Sequence, residues 1–254
     1  MFDKLIGKRP SATDTQPKRL ALMMPWGRVG SNLLVSQLKT SFSSKRIRFA
    51  NEPLNRTAEF SAQLTWFRDF YTAGSDTEAL VGSKHAIRIF SDRDRLADLF
   101  AELGLMLVRQ RRANFVKVAV SQLRAKLYAD HTKQQTGRAL WGVYKGQKAL
   151  PPLPLDAEAF LAVIGEIAAA DEILMAFAPD CHTYDLEYET LKADPGAIAR
   201  DVLAWLELTP DRESELRFDK ATPDRLAEAV PNLEELRKAA LANGFADLEP
   251  MFDE

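Results

Sequence analysis

Short continuous apolar runs alternate along this chain with segments whose apolar residues recur at helical spacing, and few folds accommodate that order. "RLALMM" (19–24) reads as a buried strand bounded by charge and by Pro25. "SNLLVSQLKTSF" (31–42) follows as a helix carrying Leu33, Leu34 and Leu38, with Ser31 in position to cap it. Further strands are read at 46–51, 84–89, 105–110 and 181–188. Helices are expected over about 57–71, where Phe60, Leu64, Phe67 and Tyr71 share a face, and over 91–104, capped by Ser91 and ended by Gly104. Longer ones follow at 113–131 and 156–178, the latter starting at Asp156, with short helices beyond. The intervening 132–155, polar and then proline-rich, reads as a surface loop. Strands alternating with helices imply right-handed crossovers. The expected fold class is therefore α/β, three layers, with a mainly parallel central sheet flanked by helices.

Composition narrows the function classes. The 254 residues suffice for one large domain, expected over 19–254 behind a flexible arm at 1–18 that has no signal-peptide h-region. No run approaches the roughly 20 apolar residues that span a bilayer. Cys181 is the only cysteine, so no intrachain disulfide is available, and the default compartment is cytoplasmic. The net charge of −2 hides an asymmetry: Thr15–Asn51 and Leu103–Ala129 contain bases and no acid, whereas the last 54 residues hold 14 acids and six bases. Two acid-free segments suit a polyanionic ligand, although the same counts also describe solvated lysines and arginines. The slightly acidic whole and the lack of a recognised motif argue against nucleic acid.

The loop "PWGRVGSN" falls where the first strand gives way to the first helix, the end of a parallel sheet at which ligands bind. Its glycines let the backbone turn and approach a ligand. The amides from Val29 through Gly30 and Ser31 to Asn32 are then unsatisfied donors of a helix start, aimed at an anion. Arg28 adds a charge and a planar fork of donors. No G-x-x-x-x-G-K-[ST] string occurs, which opposes a nucleoside triphosphatase, and G-x-G-x-x-G is absent too. A second basic constellation, "LVRQRRANFVKVAVSQLRA" (107–125), ends a strand in Arg111 and Arg112 and carries Ser121 on the next helix.

Together "PWGRVGSNLL" and "RRANFVKVAVS" resemble the paired signatures of sulfotransferases that use 3′-phosphoadenosine-5′-phosphosulfate (PAPS), closest in style to bacterial carbohydrate and nodulation-factor-type members. "LEYETLKADPGAIARDVLAWLEL" (186–208) is similar to that family's Tyr-Glu-x-Leu segment. The resemblance implies a P-loop-like version of the α/β fold. It also implies that Arg28, Gly30, Ser31 and Asn32 hold the 5′-phosphosulfate, while Arg112 and Ser121 hold the 3′-phosphate. Arg111 is the alternative, because Ala113 stands where many relatives have Arg and the Arg-to-Ser spacing is one longer than usual. No C-terminal Arg-Lys-Gly motif is present.

The implied reaction moves a sulfuryl group from PAPS to a hydroxyl of a carbohydrate or glycolipid, leaving adenosine 3′,5′-bisphosphate, with no metal. The base is expected to be Glu52, just after the second strand, with a structural pairing to Arg56 as its other reading. His85 is the alternative base, and Lys84 an assistant at the start of its strand. Trp141 and Tyr144 are read either as stacking on adenine or sugar or as an aromatic anchor. His131 and His182 have no partner at metal spacing. A P-loop-like phosphotransferase and a non-catalytic PAPS- or glycan-binding module are the competing functions. Oligomeric state is not encoded in anything legible.

Overall fold

The computed structural model describes residues 16–74, 76–138, 151–178, 180–215 and 225–253. Trp141, Tyr144 and most of the expected N-terminal arm lie outside the described residues.

Chain order gives β1 (Lys18–Met24), α1 (Ser31–Thr40), β2 (Ile47–Asn51), α2 (Phe60–Thr72), β3 (Leu80–Ala86), α3 (Arg93–Glu102), β4 (Met106–Arg111), α4 (Phe115–Thr136) and α5 (Ala157–Ala176). Then come β5 (Thr183–Glu187), α6 (Tyr188–Ala193), α7 (Pro195–Trp205), α8 (Leu226–Ala229) and α9 (Leu233–Ala242), with 3-10 turns at Ile87–Ile89 and Ala246–Phe252. The five strands form one sheet in the order β2-β3-β1-β4-β5, and all four pairings are parallel. This is a three-layer α/β arrangement, an all-parallel sheet with helices on both faces.

Strand alternation sorts β1 between two cores. Ala21 and Met23 join Phe67, Leu99 and Phe100 of α2 and α3 on one face. Leu20 and Leu22 join Leu34 and Leu38 of α1 and Val202 of α7 on the other. All of these side chains are buried, and each of those larger than alanine contributes about 1.5–3 kcal/mol relative to exposure. A third cluster packs α4, α5, α8 and α9 against Met24, Trp26 and Val29, so the loop after β1 is itself anchored in apolar contacts. Among the described residues no helix is long and apolar enough to cross a membrane.

Several boundaries differ from the sequence reading. Ser31 does not cap α1. Gly30 occupies the N-cap position in the left-handed region, and the Ser31 hydroxyl turns back to donate to Met24 Sδ at 3.2 Å. Asp92, not Ser91, caps α3 by accepting from the Arg95 amide. β3 begins four residues earlier than expected, in the stretch "LVGSKHA", because its buried polar groups find partners: Ser83 Oγ lies 2.7 Å from Tyr71 Oη and 2.8 Å from His85 Nε2. α4 runs through Thr136, five residues past its expected end, until Gly137 at φ 74° stops it, so 132–136 are helix and not loop.

Candidate active site

The chain leaves β1 for the edge strand β2, returns to β3 beside β1, and then crosses to β4 on the other side. The carboxyl ends of the strands around β1 thus lie at the topological switch point, where an open parallel sheet leaves a crevice. Four strand ends deliver the residues that gather there.

Arg28 and Gly30 both have positive φ, 70° and 79°. For Gly30 the conformation is permissive, and a Cβ there would lie 2.4 Å from Cδ2 of Tyr188, so the position requires glycine twice over. For Arg28 the left-handed backbone costs about 1–2 kcal/mol. That strain points the guanidinium across the crevice, where Nε donates to Ser121 Oγ at 3.0 Å, 93 residues away in the chain. Gln110 of β4, fully buried, donates from Nε2 to the Val29 carbonyl at 2.8 Å and pins the loop. The first amides of α1 have no acceptor within the helix, so Ser31 and Asn32 offer N–H donors at the positive end of its dipole.

Arg112 completes the cationic half. Its guanidinium sits over the Tyr188 ring, 4.5 Å from the centroid, and Nε is 3.8 Å from Glu189 Oε1. Burial and then the charge of Arg112 pull the Arg28 pKa below its ordinary value, so the two guanidiniums feel each other. Like charges taken this far out of water gain most from a ligand anion. Arg111 is not part of this group. Strand alternation sends it with Arg109 to the other side, where Nη2 meets Asp171 Oδ2 of α5 at 3.4 Å and Arg109 holds Asp185. Of the two, Arg112 is the arginine whose charge reaches Arg28, the donor to Ser121.

The second half centres on Glu52, at φ 48° after β2. Lys84, only 2% exposed, places Nζ 2.9 Å from Glu52 Oε1 and also donates to Asn32 Oδ1, joining the base candidate to the start of α1. Asn55 Nδ2 donates to Glu52 Oε2 at 2.6 Å. Burial raises the Glu52 pKa, but the Lys84 charge and hydrogen bond, the Asn55 bond and the Arg88 charge outweigh it and hold the carboxyl below its ordinary value. Lys84 lies near the end of β3, not at its start, which is why it reaches the crevice. Arg56 makes no ion pair with Glu52.

His85 is a correction to the sequence reading. Lys84 and His85 are adjacent on a strand and so face opposite sides of the sheet. His85 is fully buried, with Trp66, Phe67 and Phe90 rings 4.8–5.8 Å away, and burial followed by the Lys84 charge pushes its pKa down to about 3. It is a neutral core residue without access to the crevice. A stability effect follows with a definite sign. Below its unfolded value of 6.5 the unfolded chain takes up a proton that the folded chain refuses, so stability is lost as pH falls. Between pH 6.5 and 5 this amounts to at most about 1.4 kcal/mol per pH unit. His85→Gln should flatten that part of the profile in urea titrations; an unchanged slope would reject the assignment.

Two contributors were not legible beforehand. Gln110 closes the strand expected at 105–110 and stands between Arg109 and Arg111, with no local signal for a buried role. Tyr188 lay in the segment that carried the resemblance, but no role attached to it. Among the described residues no group of three or more His, Cys, Asp or Glu is arranged to hold a metal ion.

No family model matches this sequence, and no curated protein matches it. Solved structures do. A sulfotransferase from Alicyclobacillus acidocaldarius is similar at 16% identity and a TM-score of 0.45, over 94% of this chain and 96% of that one. The sulfotransferase domain from the curacin biosynthetic pathway is similar at 11% identity and a TM-score of 0.41, over 93% and 97%.

Proposed function

We propose that the protein is a sulfotransferase that moves a sulfuryl group from PAPS to a hydroxyl of a carbohydrate or glycolipid acceptor. The observation that carries this reading is the gathering of Arg28, Arg112, Ser121 and the start of α1 into one half-buried cationic lobe, linked through Asn32 and Lys84 to the carboxylate of Glu52. A donor with anionic groups at both ends suits the lobe, and a base suits the carboxylate.

In this reading Arg28 and the amides of Ser31 and Asn32 bind the phosphosulfate, and Arg112 and Ser121 bind the 3′-phosphate. The acceptor oxygen attacks sulfur in line, and its proton passes to Glu52. The bond between sulfur and the bridging oxygen breaks, and its electron pair stays on the 5′-phosphate of the departing adenosine 3′,5′-bisphosphate. Sulfuryl transfer resembles phosphoryl transfer in needing mainly position and charge stabilisation. Donors aimed at the bridging oxygen contribute about 3–4 kcal/mol each where they are well placed. Lys84 holds Glu52 ionised, which costs basicity but keeps the proton acceptor available at neutral pH.

Calorimetric titration with adenosine 3′,5′-bisphosphate and with ATP side by side tests the reading. The bisphosphate should bind more tightly, without magnesium, and release of bisphosphate from PAPS should depend on added acceptor. A preference for magnesium-ATP would favour a phosphotransferase. Tight bisphosphate binding with no turnover of any acceptor would favour a binding module.

A further inference from the structure

Two cations, Arg88 and Lys39, lie outside the donor lobe, and the charge of Arg88 reaches Glu52. Arg88, on the 3-10 turn after β3, is exposed and lies over the Trp26 ring with Cζ 3.9 Å from its centroid. Trp26 belongs to the loop that carries Arg28 and is itself anchored in the third core cluster. Several arginines on the sheet and its flanks hold carboxylates: Arg48 meets Glu78, Arg68 meets Glu102 and Arg109 meets Asp185. Among the described residues no acid lies within ion-pair distance of Arg88, although its charge acts on Glu52. Stacking on an indole fixes the guanidinium plane and leaves its N–H donors available at the edge, the presentation that suits a carboxylate. Lys39 of α1, over the Phe49 ring and close enough for the Lys84 charge to act on it, adds a second positive charge with no ion pair among the described residues. These charges offset the repulsion that Glu52 would exert on an anionic acceptor.

We infer that the acceptor is an acidic saccharide, its carboxylate docked on Arg88 while a nearby hydroxyl faces Glu52. The inference rests on the sulfotransferase reading and deepens it. It makes Arg88 a specificity-determining residue and Trp26 the platform that positions it.

Calorimetry with an oligogalacturonate, and with its methyl ester as the neutral control, tests this on the protein saturated with adenosine 3′,5′-bisphosphate. The acid should bind about ten-fold more tightly than the ester, the effect of one charge-assisted contact. Arg88→Gln should bring the acid down to the affinity of the ester while bisphosphate affinity stays unchanged. Equal affinities for acid and ester, no binding of the acid, or an Arg88→Gln protein that keeps the preference each overturn the inference. Failure of the bisphosphate to bind the unaltered protein is a separate result, which overturns the sulfotransferase reading and the acceptor proposal with it.

Discussion

Glu52→Gln is expected to lower kcat by about 10²- to 10⁴-fold while leaving the affinity for adenosine 3′,5′-bisphosphate within a factor of about two. The amide keeps the shape of the side chain and its bond with Asn55, and it tolerates the backbone at φ 48° as well as the carboxylate does. What disappears is the proton acceptor, together with the charge that pairs with the buried Lys84 ammonium, so a loss of stability accompanies the loss of rate. The pH profile supplies a second signature. The folded Glu52 pKa is held below 4.5, chiefly by Lys84 working against burial, so the acid limb of kcat/KM should fall below the ordinary carboxylate range. The same depression means that Glu52 adds stability above its unfolded pKa and loses it as pH falls through the folded value. Steady-state rates with PAPS, together with titration calorimetry, check both parts. A Glu52→Gln enzyme that turns over normally would remove Glu52 from the chemistry.

Arg28→Gly should separate function from stability more sharply than any other single change. Glycine adopts φ 70° without the cost of about 1–2 kcal/mol that arginine bears there, which offsets the lost hydrogen bond to Ser121 and the added freedom of the unfolded chain. The melting temperature should therefore stay within a few degrees of the parent. Donor binding and turnover should instead fall by about 10²- to 10³-fold, the loss of one well-placed charged donor to the phosphosulfate. Strain retained at a residue that would be more comfortable as glycine is the mark of a position kept for its side chain. Thermal denaturation and bisphosphate titration on the same preparation test this. A marked loss of stability with binding intact would show Arg28 to be an ordinary structural contact.

The elements differ in how far they could be foreseen. β1, α1 and the loop between them were visible because a continuous apolar run, two glycines and a helical repeat are local signals. Arg28, Gly30, Glu52 and Ser121 were nominated from local pattern and family resemblance. The choice of Arg112 over Arg111 was not available, because it depends on which side of β4 each guanidinium leaves. That became readable only once Asp171 of α5 was seen opposite Arg111. His85 looked like a base because histidine is one in many sites; the ring of aromatics that keeps it neutral comes from α2 and the turn after β3. Gln110 of β4 and Tyr188 of α6 act on the loop after β1 from far along the chain, and nothing near them in sequence announces it.

Periodicity and turn chemistry alone determined that this chain builds a parallel sheet with a glycine-bearing, arginine-bearing turn after its first strand. Those properties follow from backbone sterics and apolar spacing over a few residues. Tertiary structure decided which charges meet: Arg28 with Ser121, Lys84 with Glu52, Arg112 with Tyr188. Electrostatic partners are set by distance and burial in space, and the crossovers between parallel strands bring together residues that the sequence keeps 32 to 93 positions apart.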